Sequence, residues 1–152
     1  MEYRIKIPEP QYTVIRFIQD GHKGVASFNI ALRDLSHKLV FGWHLSIMVH
    51  IDNVKTDNGM PSQADNAEIE KYEDWLDEKL NPDQVKPNAL FLSRVTWNST
   101  IELIWRIHNP EEVNDFLQEV LQERNYPFPF DYRIDPDGDW ELADWHLKKS
   151  NT

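Results

Sequence analysis

The clearest alternation of apolar and polar residues lies in Gly42–Asp52, GWHLSIMVHID. Leu45, Ile47, Val49 and Ile51 fall on one side and His44, Ser46, Met48 and His50 on the other, the period of a half-buried strand. Upstream, the β-branched and aromatic runs Tyr12–Ile18 and Val25–Leu32 flank the turn-like Asp20-Gly21-His22-Lys23-Gly24, which predicts a hairpin. Ala26–Leu35 also fits a helix. Downstream of Asn58-Gly59, Ser62-Gln63-Ala64-Asp65 has capping-box spacing, and Ile69, Tyr72, Leu76 and Leu80 recur at helical intervals up to Asn81-Pro82. Ala89–Trp97 and Thr100–His108 read as two strands joined at Asn98-Ser99. A second helix opens at Asn109-Pro110-Glu111-Glu112, with cap, proline and acid in the expected order. Phe128–Ile134 reads as the last strand and Trp140–Leu147 as a short terminal helix.

From Gly42 onward the order is β-α-β-β-α-β. This predicts an α+β fold of the ferredoxin-like split type, with an additional N-terminal β-hairpin. Residues 1–152 form a single domain in this reading: a hairpin extension at 12–32, a core at 42–135 and a C-terminal extension at 136–152. The hairpin extends the sheet, covers part of it, or acts as a swapped arm. Strict alternation puts Phe91, Val95, Trp97, Ile101, Leu103, Trp105 and Ile107 beneath the helices. The other sheet face then carries His44, Ser46, Met48 and His50, with Leu90, Leu92, Arg94, Thr96, Glu102, Ile104, Arg106 and His108. Leu90, Leu92, Met48 and Ile104 make that face too apolar for open solvent. A cover from within the protein or its homo-oligomer is expected in preference to a separate partner.

Length and charge narrow the picture. The 152 residues, 18.1 kDa, suit one domain with its own core. The formal charge is −10, which argues against direct nucleic-acid binding because no broad basic footprint exists for phosphates. The charge is uneven: residues 52–83 and 110–152 each carry −7, while 1–51 and 84–109 each carry +2. Both acidic blocks contain a predicted helix, so an acidic helical side and a mildly basic sheet side are expected. Without cysteine the chain has no thiol chemistry or disulfides. The N-terminal residues do not resemble a signal peptide and no run suits a membrane span, so a cytoplasmic protein without membrane contact is expected.

Candidate chemistry is sparse. His44 and His50 share a face but stand roughly 20 Å apart along an extended strand, and His108 belongs to a neighbouring strand. With no HExxH or paired-histidine spacing, neither metal nor cofactor is expected. The acidic run DPDGDWE at Asp135–Glu141 lacks the glycine and glutamate positions of a calcium loop and reads as a turn with solvated carboxylates. Arg94, Glu102 and Arg106 share a predicted face, where they could orient an anion or form a cross-strand salt-bridge network; the network is favoured. No nucleophile elbow, Walker motif or dinucleotide loop occurs.

The chain resembles a family of bacterial domains of unknown function related in fold to the regulator of ribonuclease E activity B. The resemblance rests on Phe28–Leu32 (FNIAL), Phe41–Ile51, the NGMPS of Asn58–Ser62, the glutamate-rich helix, Phe91–Ile107 and Asp135–Leu142. It spans residues 25–147. Arg94 and Thr96 match the family hairpin, whereas Ser99 replaces its turn glycine and the segment after Ser99 departs from its arginine-glutamate-aromatic pattern. The resemblance implies the same fold and a cytoplasmic bacterial protein, and carries over no catalytic residue. That regulator works by protein contact.

Three functional readings follow. The first is a non-catalytic protein-binding or regulatory domain whose acidic helix surface, Glu70, Glu73 and Asp77, engages a basic protein. The second is a small-ligand sensor or enzyme using the sheet face with His44, His50, Arg94, Glu102, Arg106 and His108, which leaves enzymatic activity open. The third is a homodimer whose sheet face is the subunit interface.

Overall fold

A computed structural model describes residues 6–52 and 56–149. Six antiparallel strands form one sheet: β1 (Tyr12–Gln19), β2 (His22–Asn29), β3 (Trp43–His50), β4 (Ala89–Trp97), β5 (Thr100–Ile107) and β6 (Phe130–Pro136). Their spatial order is β1-β2-β4-β5-β3-β6. The helices are α1 (Gln63–Leu80), α2 (Pro110–Glu123) and α3 (Glu141–Lys149). Short 3-10 segments at Ile30–Asp34 and Lys38–Phe41 lead from β2 into β3.

Local chemistry explains most boundaries. Asp20 and Gly21 both have positive φ, the two-residue turn that matches strand twist in a tight hairpin. Asn98 and Ser99 do the same between β4 and β5. Ser62 Oγ accepts the Asp65 N–H at 3.1 Å and opens α1. Asn109 Oδ1 accepts the N–H groups of Glu111 and Glu112, and Pro110 takes the first position of α2, where no N–H is required.

On one face α1 and α2 bury Ile69, Leu76, Leu80, Val113, Leu117 and Val120 against Leu45, Ile47, Val49, Ile101, Leu103, Trp105 and Ile107. The N-terminal hairpin does not cover the sheet. It lengthens it, with β2 paired to β4 and β1 left as an outer edge. The cover of the second face comes from within the chain: Leu32, Leu35 and Phe41 of the 3-10 region, with Trp140, Ala143 and Leu147 of the C-terminal segment, close over Leu90, Leu92 and Ile104. Met48 lies outside that cluster and is half-buried.

Strict alternation fails in β4. Phe91 pairs with Trp105, but Ser93 pairs with Ile104, so Leu92 is the extra residue of a β-bulge. Beyond it every side chain changes face relative to the sequence expectation. Arg94 and Thr96 therefore sit on the helix side, opposite Leu103 and Ile101, while Val95 and Trp97 occupy the second face. The expected single-faced group of Arg94, Glu102 and Arg106 does not exist.

Candidate functional site

The stripe Asn66, Glu70, Glu73 and Asp77 recurs at steps of four, three and four along α1, so its members share one edge of the helix. That edge looks across the helix-side face of β1 and β2. The depression between them has a volume of about 620 Å³. Tyr12 and Val14 of β1, Val25 and Ser27 of β2, and Phe91, Arg94 and Thr96 of β4 line it, with Met60–Gln63 and the α1 edge as its walls. A second depression of about 540 Å³ shares Tyr12 and Phe91 and continues along α1 past Asp77, Glu78 and Asn81. Together they make a groove beside α1.

Charge in the groove is unbalanced. Arg94 Nη2 donates to Asn66 Oδ1 at 2.6 Å, and its Nη1 reaches Glu70 only at 3.5 Å. Glu73 Oε1 is buried and has no hydrogen-bond partner among the described residues. Burial raises the Glu73 pKa to about 7; Arg94 opposes the rise, and Asp74, Asp77 and Glu70 add to it. Asp77 is spoken for on one side, since its Oδ1 accepts the Trp105 indole N–H at 2.8 Å. Burial raises its pKa, with that hydrogen bond acting against the rise. Tyr12 lines both depressions beside this acidic edge, and its hydroxyl pKa is pushed up by burial and then by Glu73, Asp77 and Asp74.

The six sheet-face candidates are scattered. His50 pairs with Asp131 at 2.8 Å at an exposed edge. Glu102 Oε2 accepts from Ser46 Oγ at 2.5 Å. The His108 ring meets the Val40 carbonyl. Arg94 lies in the groove on the other side of the sheet. Only His44 and Arg106 come together, in a knot beneath α3. The fully buried Arg106 donates to Asp137 Oδ2 at 2.7 Å, to the Asp137 carbonyl at 2.6 Å and to the Phe41 carbonyl at 3.3 Å, and lies over the Trp140 ring at 4.4 Å. Arg106 Nη1 also lies 3.0 Å from His44 Nδ1. Arginine only donates, so His44 Nδ1 is the acceptor and its proton sits on Nε2. Burial, and then the Arg106 charge, lower the His44 pKa to about 4.

Four members of this knot were not singled out as site residues in the sequence. Asp137 is buried rather than solvated; its carboxylate also accepts the Glu141 and Leu142 N–H groups and so caps α3. An aspartate just ahead of a predicted helix is the signal that could have found it. Trp140 stacks on Arg106, and Ser93 and His146 share a 2.9 Å contact. Burial, and then His44, lower the His146 pKa to about 3. Ser93 is 0% exposed, so no substrate reaches its hydroxyl; the pair fastens α3 to the bulge in β4. Among the described residues no three His, Asp or Glu side chains converge as metal ligands, and no helix is long and apolar enough to cross a membrane.

The sequence model of a family described as Family of unknown function (DUF695) matches residues 12–145, from the first strand into α3. No curated protein and no solved structure matches the chain. The regulator of ribonuclease E activity B is therefore not among the matches.

Proposed function

The chain belongs to this family of unknown function, DUF695, and from that premise we propose that it is a non-catalytic binding domain whose groove beside α1 takes a lysine- or arginine-bearing segment of another protein. The observation that carries the reading is Glu73: a carboxyl in the groove wall, one oxygen buried and without a partner among the described residues, surrounded by Glu70, Asp74 and Asp77. An ammonium or guanidinium group in the groove offsets the like-charge repulsion that Glu70, Asp74 and Asp77 add around Glu73. Protein contact is also what the resemblance to the ribonuclease E regulator implies. The finer fold assignment belongs here too. The β3-α1-β4 and β5-α2-β6 units, in the order β4-β5-β3-β6, support a ferredoxin-like split core extended by the hairpin.

The test is a fluorescence-anisotropy titration of the whole chain with a labelled amphipathic peptide of leucine and lysine. Glu70→Lys with Glu73→Lys should weaken binding at least tenfold, about 1.4 kcal/mol. Glu111→Lys with Asp115→Lys on α2 changes the net charge equally and should weaken it less than threefold. Equal losses from the two pairs would reduce the interaction to unspecific attraction and sink the proposal.

A further inference from the structure

The helix side of the sheet is incompletely roofed. Two helices, α1 and α2, pack over the core strands, and among the described residues none roofs β1 and β2 beyond the α1 edge. The strip these two strands make is about 10 Å wide from the strand spacing, which is the diameter of one α-helix. Eight residues of β1 run for about 26 Å, close to the ~27 Å of the eighteen-residue α1.

The strip mixes apolar and polar positions: Arg16 and Lys23, Ser27 and Asn29 share it with Tyr12, Val14, Ile18 and Val25, and its apolar members are unusually open to water. Tyr12, Val14 and Ile18 alternate onto this face and are 53%, 62% and 73% exposed. A further depression of about 640 Å³, lined by Arg16, Ile18, Lys23, Val25 and Met60 among others, carries the groove toward the hairpin turn, where its charge becomes basic. One long wall is charged, the α1 edge with Glu70 and the buried Glu73 oxygen. A second copy of a chain of net charge −10 is a poor occupant, because the facing α1 edges would set acid against acid.

Resting on the reading of the groove as a site for a basic protein segment, we infer that the segment is an amphipathic helix lying alongside α1 on β1 and β2. It takes the place of a third helix in that layer. Its apolar stripe covers Tyr12, Val14, Ile18 and Val25, lysines or arginines on the flank toward α1 meet Glu70 and Glu73, and the flank toward Arg16 and Lys23 carries no base. A helix presents both faces at once, with apolar residues three and four apart and basic residues beside them. An extended segment turns alternate side chains away from the strip and covers half as much of it.

The probe is an eighteen-residue leucine-lysine peptide stapled as a helix, compared with a peptide of equal charge interrupted by two central prolines. Both are titrated into the full chain. The stapled peptide should bind at least tenfold more tightly than the broken one. Val14→Ser with Ile18→Ser should weaken the stapled peptide at least fivefold and the broken one less than twofold. Should that variant fail to fold, the comparison of the two peptides on the unaltered chain still decides. Equal affinities, or no binding of the stapled peptide up to 1 mM, a ceiling of about −4 kcal/mol, would overturn the inference. If Glu70→Lys with Glu73→Lys still weakens both peptides equally, the basic-partner reading survives and only the helix is lost; if it weakens neither, both fall. Self-association in sedimentation experiments that the serine pair abolishes would assign the strip to a second copy and overturn the inference as well.

Discussion

Arg106 shows how one residue can hold two parts of a chain together. Its guanidinium has no access to water, and Asp137 provides the opposite charge while also capping α3. Removing one member of such a pair leaves the other as an uncompensated buried charge. Asp137→Ala should therefore cost about 3–5 kcal/mol in urea unfolding, well above the ~1 kcal/mol of a lost helix cap. Replacing both, Arg106→Met with Asp137→Ala, should recover part of that loss, because no charge then remains unpaired. A double variant no more stable than the single would argue that the pair acts through the cap alone. The sequence carried part of this site. Arg106 and His44 were legible as members of one sheet face, whereas their pairing across β3 and β5 and the burial of Asp137 beneath α3 were not.

At the scale of elements, α3 and the β4 bulge depend on each other. The bulge turns Leu92 and Ser93 toward the same face, where Leu92 joins the cluster under α3 and Ser93 meets His146. A chain ending at Pro136 would expose Leu90, Leu92 and Ile104 and leave Arg106 without its acid. Such a truncation should bind a hydrophobic dye such as ANS and unfold over a broad range rather than in one sharp transition. Retention of a sharp transition with no dye binding would mean that α3 is an ornament rather than the roof of that face. Periodicity predicted α3 as an element. It did not say what α3 covers, because coverage is set by contacts between residues far apart in the chain, such as the Trp140 indole N–H to the Lys38 carbonyl.

For the whole molecule, the expected division into an acidic helical side and a mildly basic sheet side holds only in part. The acids of α1 border the groove as expected. The second acidic block divides: Glu111 and Glu112 begin α2, whereas Asp131, Asp135, Asp137, Glu141 and Asp144 lie in β6, beneath α3 or along it. Stability should also depend on pH through this second side. His44 and His146 have folded pKa values of about 4 and 3, below the ordinary value of 6.5. The unfolded chain thus takes up more protons below pH 6.5, and stability, full above that pH, is lost as pH falls toward 4 and then 3. At pH 5 each histidine should cost about 2 kcal/mol. Glu73 and Asp77 act in the opposite direction, since their raised pKa values favour the folded chain as pH falls, Glu73 from about pH 7 downward. The two buried histidines together make the larger change. Denaturant midpoints should therefore fall between pH 6.5 and 4, and His146→Gln should flatten the slope; an unchanged slope in that variant would contradict the assignment.

By itself, the sequence determined the strands and helices, the hairpin turns at Asp20-Gly21 and Asn98-Ser99, the caps at Ser62 and Asn109 and the acidic stripe on α1. Each follows from side-chain period, backbone φ or a hydrogen bond spanning a few residues. Tertiary structure decided the rest. A single extra residue in β4 reverses the face of Arg94, and its position is fixed by pairing with β5 rather than by its own neighbours. Likewise the groove exists only because β2 pairs with β4 and carries β1 out past the edge of α1.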